Sequence, residues 1–201
     1  MRKELRKDDA LRFYALMTMG GYLSIDACIN TAYRDFCRTM HGIMGNDRNE
    51  AMRSEASDII KRMIGKVLKA SLTQPEFDKL HGSACKAIKN VYSENQTAFY
   101  IGQSQKWINM SFKYVYLLYL ADLLDIGITG IEMLKQNYRH FHLPIDNIVL
   151  QHQTVKRLYS EHIGNAAWSR IDDYSKYLAF QKNLQEAVEI PLIVFEGQIW
   201  K

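Results

Sequence analysis

An amine and a carboxylate occur in two short motifs whose chemistry could combine at a sugar carbon. Lys106 ends the run IGQSQK, and Asp146 ends the run LPID. An amine can attack an electrophilic carbon, and a nearby carboxylate can steady the positive charge that develops there. Each group also has a simpler interpretation: a solvated lysine on an exposed turn, and an acid that stabilises the start of a helix.

The first motif predicts a tight turn that leads into a helix at about residue 104. Backbone N–H groups at such a helix start suit a phosphate. Partial burial beside Trp107 would make the Lys106 amine a nucleophile. The residues expected to contact nucleic acid here are Gly102, Gln103, Ser104 and Gln105.

The second motif predicts another helix start, with Pro144 in the first helical position and Asp146 near the third. His142 and His152 lie close by in sequence and are expected to contact phosphate or to form hydrogen bonds in the same cleft. A metal site that adds His140 to this group is the lesser alternative, because histidines two residues apart do not share a helix face.

Together the two motifs resemble those of the helix-hairpin-helix DNA glycosylases of the 8-oxoguanine glycosylase type. Those enzymes carry a Gly-x-Gly-x-Lys hairpin, an apolar helix and then a Pro-Val-Asp helix start. Gly102 and Lys106 match the first motif, with Ser104 in place of its second glycine, and Pro144-Ile145-Asp146 matches the second. The resemblance covers residues 95–160, and the separation of 40 residues between Lys106 and Asp146 implies an insertion at about 126–142.

The resemblance implies roles for these groups. Lys106 would attack the sugar C1′ as the base leaves and form a Schiff base that permits strand cleavage. Asp146 would steady the oxocarbenium-like charge and assist the proton transfers. Trp168 and Tyr174 could stack a flipped base, although aromatic residues at helical spacing more often belong to the core. The expected partner is duplex DNA, with or without damage, and no cofactor or metal is expected.

Composition indicates a helical domain with a full core. The chain has 201 residues, is 47% hydrophobic, and contains only three prolines and eleven glycines, with a net charge of +4. That charge permits a nucleic-acid partner without requiring one. Three cysteines without a CxxC pair predict a reducing, cytoplasmic location, and the longest apolar window is too short to span a membrane.

Apolar periodicity predicts an all-α fold, a single domain over residues 1–201 with a weak division near residue 95. The central helix should be the one that is apolar on most sides. An apolar face with Leu11, Tyr14, Ala15 and Met17 should end at Gly20. A polar loop is expected at 43–49, a looser segment around Gly127 and Gly130, and an extended tail or a last short turn at 191–200. The helices are predicted at about 24–42, 50–70, 73–92, 104–124, from 144 onward, and 168–188.

The leading hypothesis is therefore a DNA-binding glycosylase/lyase-like protein. The alternative belongs to another class: a non-enzymatic helical protein that binds nucleic acid or a protein partner. The two differ in geometry: the enzyme requires Lys106 and Asp146 to face one open cleft within about one hydrogen-bonded water of each other, whereas the binding protein tolerates them on separate faces.

Overall fold

All regular structure in the described residues is helical, which confirms the predicted all-α class. The computed structural model describes residues 6–40, 47–95 and 97–200. The α-helices in these ranges are α1 (Lys7–Thr18), α2 (Ile25–Phe36), α3 (Asp47–Val67), α4 (Gln74–Glu94), α5 (Ile101–Leu120), α6 (Gly127–Asn137), α7 (Gln153–His162), α8 (Tyr174–Val188) and α9 (Leu192–Ile199). Short 3₁₀ turns at Cys37–Thr39, Tyr138–His140, Val149–Gln151 and Trp168–Arg170 lie between them.

The helix starts that carry strong capping signals form where the sequence places them. The Ser24 hydroxyl accepts a hydrogen bond from the Ala27 N–H at the start of α2. At the start of α4 the Glu76 carboxylate reaches back to the Thr73 N–H at 2.8 Å. Such caps satisfy N–H groups that have no partner inside the helix.

Helix α5 is the centre of the core, as its apolar composition predicts. Every residue from Ile101 to Phe112 is buried. Trp107 has no exposed surface, and its indole N–H donates to the Ile29 carbonyl at 2.9 Å. Its ring packs on those of Tyr33 and Phe36, with centroids 5.0 and 5.2 Å away. A single hydrophobic core runs through helices on both sides of residue 95.

The start of α5 corrects the predicted turn at 102–105. Residues 101–105 are helical, and the connection from α4 lies earlier, at 95–100. The Gly102 N–H donates to the Ile171 carbonyl at 2.8 Å. A Cβ at residue 102 would lie 1.9 Å from the Trp168 carbonyl oxygen. Glycine is needed here because two backbone segments pack closely, and not because the chain makes a left-handed turn.

Four other boundaries differ from the prediction. No helix starts at Pro144: residues 141–146 have no regular structure, and α7 begins at Gln153. The segment expected to be loose around Gly127 forms α6, and the helix expected from Trp168 begins at Tyr174. The apolar tail, predicted to be extended or a short turn, contains α9.

Helix α1 ends shortly before Gly20, as predicted, and most of its apolar face is exposed, although Ala15 packs against the core. None of its residues is buried, and Tyr14 and Met17 are 70% and 66% exposed. The predicted polar loop at 43–49 falls mainly outside the described residues, and residues 47–49 belong to α3.

The three cysteines are buried free thiols. Burial raises the pKa of Cys28 to about 12, since a thiolate loses its hydration there. Among the described residues no helix combines the length and the apolar character that a membrane span needs.

We expect Gly102→Ala to destabilise the fold by about 3 kcal/mol or more, because the added methyl group meets backbone atoms that cannot rotate away. Gly65→Ala in α3 is the matched control: a Cβ there meets nothing within 4 Å. That control should be neutral or stabilise by up to about 1 kcal/mol. Urea unfolding followed by circular dichroism measures both. Equal midpoints for the two variants would contradict the close packing described at residue 102.

Candidate functional site

Lys106 and Asp146 form an ion pair, so the two groups lie together as predicted, but the pair is mostly buried where an open cleft was expected. The Lys106 Nζ lies 2.5 Å from Asp146 Oδ2, and the two side chains are 4% and 14% exposed. The other oxygen of the carboxylate, Oδ1, accepts hydrogen bonds from the N–H groups of Ile148 and Val149 at 2.8 and 2.9 Å. The carboxylate is therefore fixed by backbone donors on one side and meets the amine with the other.

Two glutamine side chains hold the segment 141–146, which ends at Asp146. Gln181 of α8 accepts from the Leu143 N–H at 3.0 Å and donates to the Leu143 carbonyl at 2.8 Å. Gln105 of α5 accepts from the Ile145 N–H and donates to the Ile145 carbonyl, both at 3.3 Å. We call these two-point contacts the amide clamps. They satisfy buried backbone groups that no helix or strand serves.

A buried polar network begins at the Gln105 clamp and runs along α5. The Asn109 amide donates to Gln105 Oε1 at 3.0 Å and to the Tyr177 hydroxyl at 2.9 Å. The Asn109 Oδ1 lies 3.0 Å from His81 Nε2. Because the amide oxygen can only accept, His81 donates from Nε2. Each of these groups therefore fixes the orientation of the next.

The network ends at a carboxylate on α4. His142 Nε2 lies 3.0 Å from Asp78 Oδ1, and His142 Nδ1 lies 3.1 Å from the Tyr177 hydroxyl. The Asp78 carboxylate can only accept, so His142 donates to it from Nε2, and the other ring nitrogen, Nδ1, faces the Tyr177 hydroxyl. The imidazole ring of His142 therefore joins the Tyr177 hydroxyl to the Asp78 carboxylate.

The ionised form of Asp78 is supported by its remaining contacts. Burial alone would raise the pKa of Asp78, but hydrogen bonds from His142 and Gln74 outweigh it and hold that pKa below its usual value. The Gln74 amide donates to Asp78 Oδ1 at 2.8 Å. The second oxygen, Oδ2, is buried and has no hydrogen-bond partner, and the Lys182 Nζ is 3.7 Å from it.

Helix α9 adds a second buried charge pair next to the first. Lys113 lies two helical turns after Lys106 on α5, and its Nζ is 2.6 Å from Glu196 Oε1. Burial raises the pKa of Glu196, while the charges of Lys113 and Lys106 oppose that shift. Trp200 places its ring 4.6 Å from the Lys113 amine. Helix α9 therefore lies beside the Lys106–Asp146 pair and contributes a carboxylate to its surroundings.

The residues predicted to contact nucleic acid at the start of α5 lie inside the protein. All four are buried: Gly102, Gln103, Ser104 and Gln105. The N–H groups of Gln103 and Ser104 both bond the Tyr100 carbonyl. The Gln103 amide donates to Thr39 and its oxygen accepts from the Tyr100 N–H. These groups therefore bond within the protein and do not form the phosphate-binding turn that the sequence predicts.

The other predicted contacts are also mostly internal. His142 belongs to the polar network, and His152 is half-buried with its ring edge-on to Phe195. Trp168 is 9% exposed and packs against the start of α5. The Tyr174 hydroxyl lies 2.9 Å from the Asp78 carbonyl and 3.0 Å from His81 Nδ1. Both stacking candidates therefore occupy packed positions, which is the alternative that aromatic residues at helical spacing more often follow.

Asp78, His81 and Tyr177 were not singled out by the sequence analysis. A usable signal exists: α4 and α5 carry polar residues on faces that are otherwise apolar, and a polar group on a buried face must find a partner. Apart from Gln74, four residues before Asp78, the partners lie 28 to 96 residues away in the chain, which no spacing rule reveals. Within the described residues no group of three or more His, Cys, Asp or Glu side chains is arranged to hold a metal ion.

Comparison of the chain with protein-family models, with curated proteins and with solved structures found no match. The glycosylase resemblance therefore depends on the two motifs and on the ion pair that joins them.

The buried pair should show strong energetic coupling. We expect Lys106→Met and Asp146→Asn to couple by about 1–3 kcal/mol in a double-mutant cycle, because either single change leaves a buried group without its partner. The exposed Arg157–Glu161 pair on α7, with side chains 57% and 49% exposed, is the control. Its coupling should be below about 0.5 kcal/mol. Equal coupling in the two cycles, measured by urea unfolding, would show that the inner pair is not desolvated.

Stability should fall as the pH drops below 6.5 because of His81. Burial, with the nearby His142 in second place, lowers the pKa of His81 well below its usual 6.5. The native state then binds fewer protons than the unfolded state below that pH, so acid favours unfolding, with a slope of up to about 1.4 kcal/mol per pH unit.

We expect His81→Gln to flatten this dependence between pH 6.5 and 5. A smaller slope should remain, because burial also lowers the pKa of His140. The test measures the free energy of unfolding of the wild type and of the variant at a series of pH values. An unaltered slope in His81→Gln would mean that His81 is not held neutral.

Proposed function

We propose that this protein is a DNA-binding glycosylase/lyase-like enzyme that acts at a sugar C1′ with Lys106 as nucleophile and Asp146 as its partner. The observation that carries the proposal is the 2.5 Å contact between Lys106 Nζ and Asp146 Oδ2 across 40 residues of sequence. The chemistry needs one amine and one carboxylate at one place. The pair supplies both, on a rigid helix and on a segment held by the amide clamps.

The reaction balances with these two groups. The Lys106 ammonium gives a proton by way of Asp146 to the departing base, and the freed amine forms a bond to C1′ as the bond from C1′ to the base breaks. The ring oxygen then takes a proton from the attached nitrogen as the ring opens, which leaves an iminium (Schiff base). Throughout, the Asp146 carboxylate faces the positive charge that develops at C1′.

The fixed orientation of Asp146 suits this role. Two backbone N–H groups hold Oδ1, so Oδ2 keeps its position when the amine moves toward a substrate. Preorganised charges of this kind need no rearrangement as the reaction proceeds. Since Asp146 is the more exposed partner, a sugar would approach the pair from the side of the carboxylate.

The nearest basic residues on the chain after Asp146 lie on α7. Lys156 and Arg157 are exposed one turn into that helix, which begins seven residues beyond the carboxylate. Exposed lysine and arginine side chains are the usual contacts to DNA phosphates. They would replace, as the expected phosphate contacts, the buried residues at the start of α5.

Borohydride trapping tests the proposal directly. With duplex DNA that carries an abasic site or an oxidised base, the wild-type protein should give a covalent adduct, since borohydride reduces the iminium to a stable amine. Lys106→Gln should lose the adduct, and Asp146→Asn should slow its formation by about 100-fold or more. Denaturing electrophoresis of labelled DNA measures both.

Lys135→Gln is the control, because it removes an amine from an exposed position on α6, outside the two buried charge pairs. It should retain the adduct. If no adduct forms on any of these substrates, or if Lys106→Gln forms as much as the wild type, the proposed activity is wrong.

A second function, binding of a protein partner without catalysis, is favoured by one observation. Helix α1 has no buried residue and exposes large apolar side chains: Leu11, Phe13, Tyr14 and Met17. Contiguous exposed apolar side chains mark interaction surfaces more often than free surface. This surface is compatible with a catalytic Lys106–Asp146 pair and equally with a pair that has no catalytic role.

A further inference from the structure

A cavity of about 240 Å³ lies at the end of the polar network, away from the groups used in the proposed reaction. Its wall includes Phe141 and Leu192 as apolar surface, and Asp78, Gln74 and Glu186 as polar groups. Lys182 also lines it. A concave site with an apolar wall and a few polar groups is the usual form of a small-molecule site.

One oxygen of the buried carboxylate at this cavity has no hydrogen-bond donor. Asp78 is 5% exposed, and its Oδ1 is the oxygen that contacts His142 and Gln74. Its Oδ2 accepts no hydrogen bond. Buried carboxylates are ordinarily paired with a cation or with several donors. The hydrogen-bond network therefore supplies no donor to Oδ2.

Lys182 is a poor permanent partner for this oxygen. Its Nζ is 3.7 Å from Oδ2, beyond hydrogen-bond distance, and its side chain is 54% exposed. A flexible, hydrated lysine at a cavity can move into solvent with little loss. Its ammonium occupies the place next to Oδ2 that another cation would take.

We propose that this cavity binds a small planar cation with N–H donors, of the amidinium or guanidinium type. The cation donates to Asp78 Oδ2 and displaces the Lys182 ammonium, while its apolar body lies against Phe141 and Leu192. A planar, delocalised cation suits this place better than an alkylammonium, because it is weakly hydrated and presents its donors in a fixed direction. The proposal does not depend on the reaction at Lys106.

The test uses benzamidine as probe and benzamide as its neutral counterpart of nearly the same shape. Benzamidine should bind at least about tenfold more tightly than benzamide, a difference of about 1.4 kcal/mol. Chemical-shift changes in the full-length protein should centre on Asp78, Phe141 and Leu192. Equal binding of the two compounds, or shift changes elsewhere, would overturn the proposal.

Two variants on α8 make the test independent of folding problems. Lys182→Met removes the competing ammonium from an exposed side chain, and benzamidine should then bind severalfold more tightly. Lys176→Met removes the same charge from an exposed position outside the cavity and should leave the affinity unchanged. Weaker or unaltered binding in Lys182→Met would count against the site.

Asp78→Asn completes the set, provided that its circular dichroism and melting curve show a folded protein. It should abolish the preference for benzamidine over benzamide, because the negative charge that the cation contacts is gone. If the preference persists in Asp78→Asn, the carboxylate is not the recognition group. If this variant does not fold, the result with Lys182→Met decides.

Discussion

The segment 141–146 is buried backbone without helix or strand partners, and the rest of the site depends on how it is held. Gln105 and Gln181 each bond the N–H and the C=O of one residue, Ile145 and Leu143. Alternate residues of an extended chain are thus bonded from two different helices. An unpaired buried peptide group would destabilise the fold by about 1–3 kcal/mol. The clamps remove that penalty and at the same time fix where Asp146 emerges.

The ion pair between Lys106 and Asp146 is a poor device for stability alone. Desolvation of two charges offsets much of their attraction, and apolar replacements of similar size are often as stable. Specific placement is a better explanation for such a pair, and the second pair, Lys113 with Glu196, lies beside it on the same helix. Ionised groups cluster on this side of α5, whereas Trp107 packs among apolar residues on another side of the same helix.

Local sequence signals predicted the helices well where they act within a few residues. The caps at Ser24 and Thr73 and the apolar character of α5 are examples, because each depends on neighbours within one or two turns. Pro144 misled the prediction: proline suits a helix start, but the clamps hold this segment extended and Asp146 bonds the turn at 148–149 instead.

Tertiary contacts decided what the local signals left open. Gly102 suggested a turn, whereas it is needed for the approach of the Trp168 carbonyl, which comes from residues 66 positions later. The Lys106–Asp146 contact was predicted only because two motifs were considered together. Asp78 and Tyr177 could not be assigned, because their partners are distant in sequence and their own residue types are unremarkable on a helix.

The amide clamps make the site sensitive to a change of very few atoms. Each clamp uses one carboxamide as donor and acceptor at once. Deamidation of Gln105 or Gln181 would replace the donor with a second oxygen and set it against a peptide carbonyl. A change that leaves side-chain size almost unaltered would therefore loosen the segment that carries Asp146.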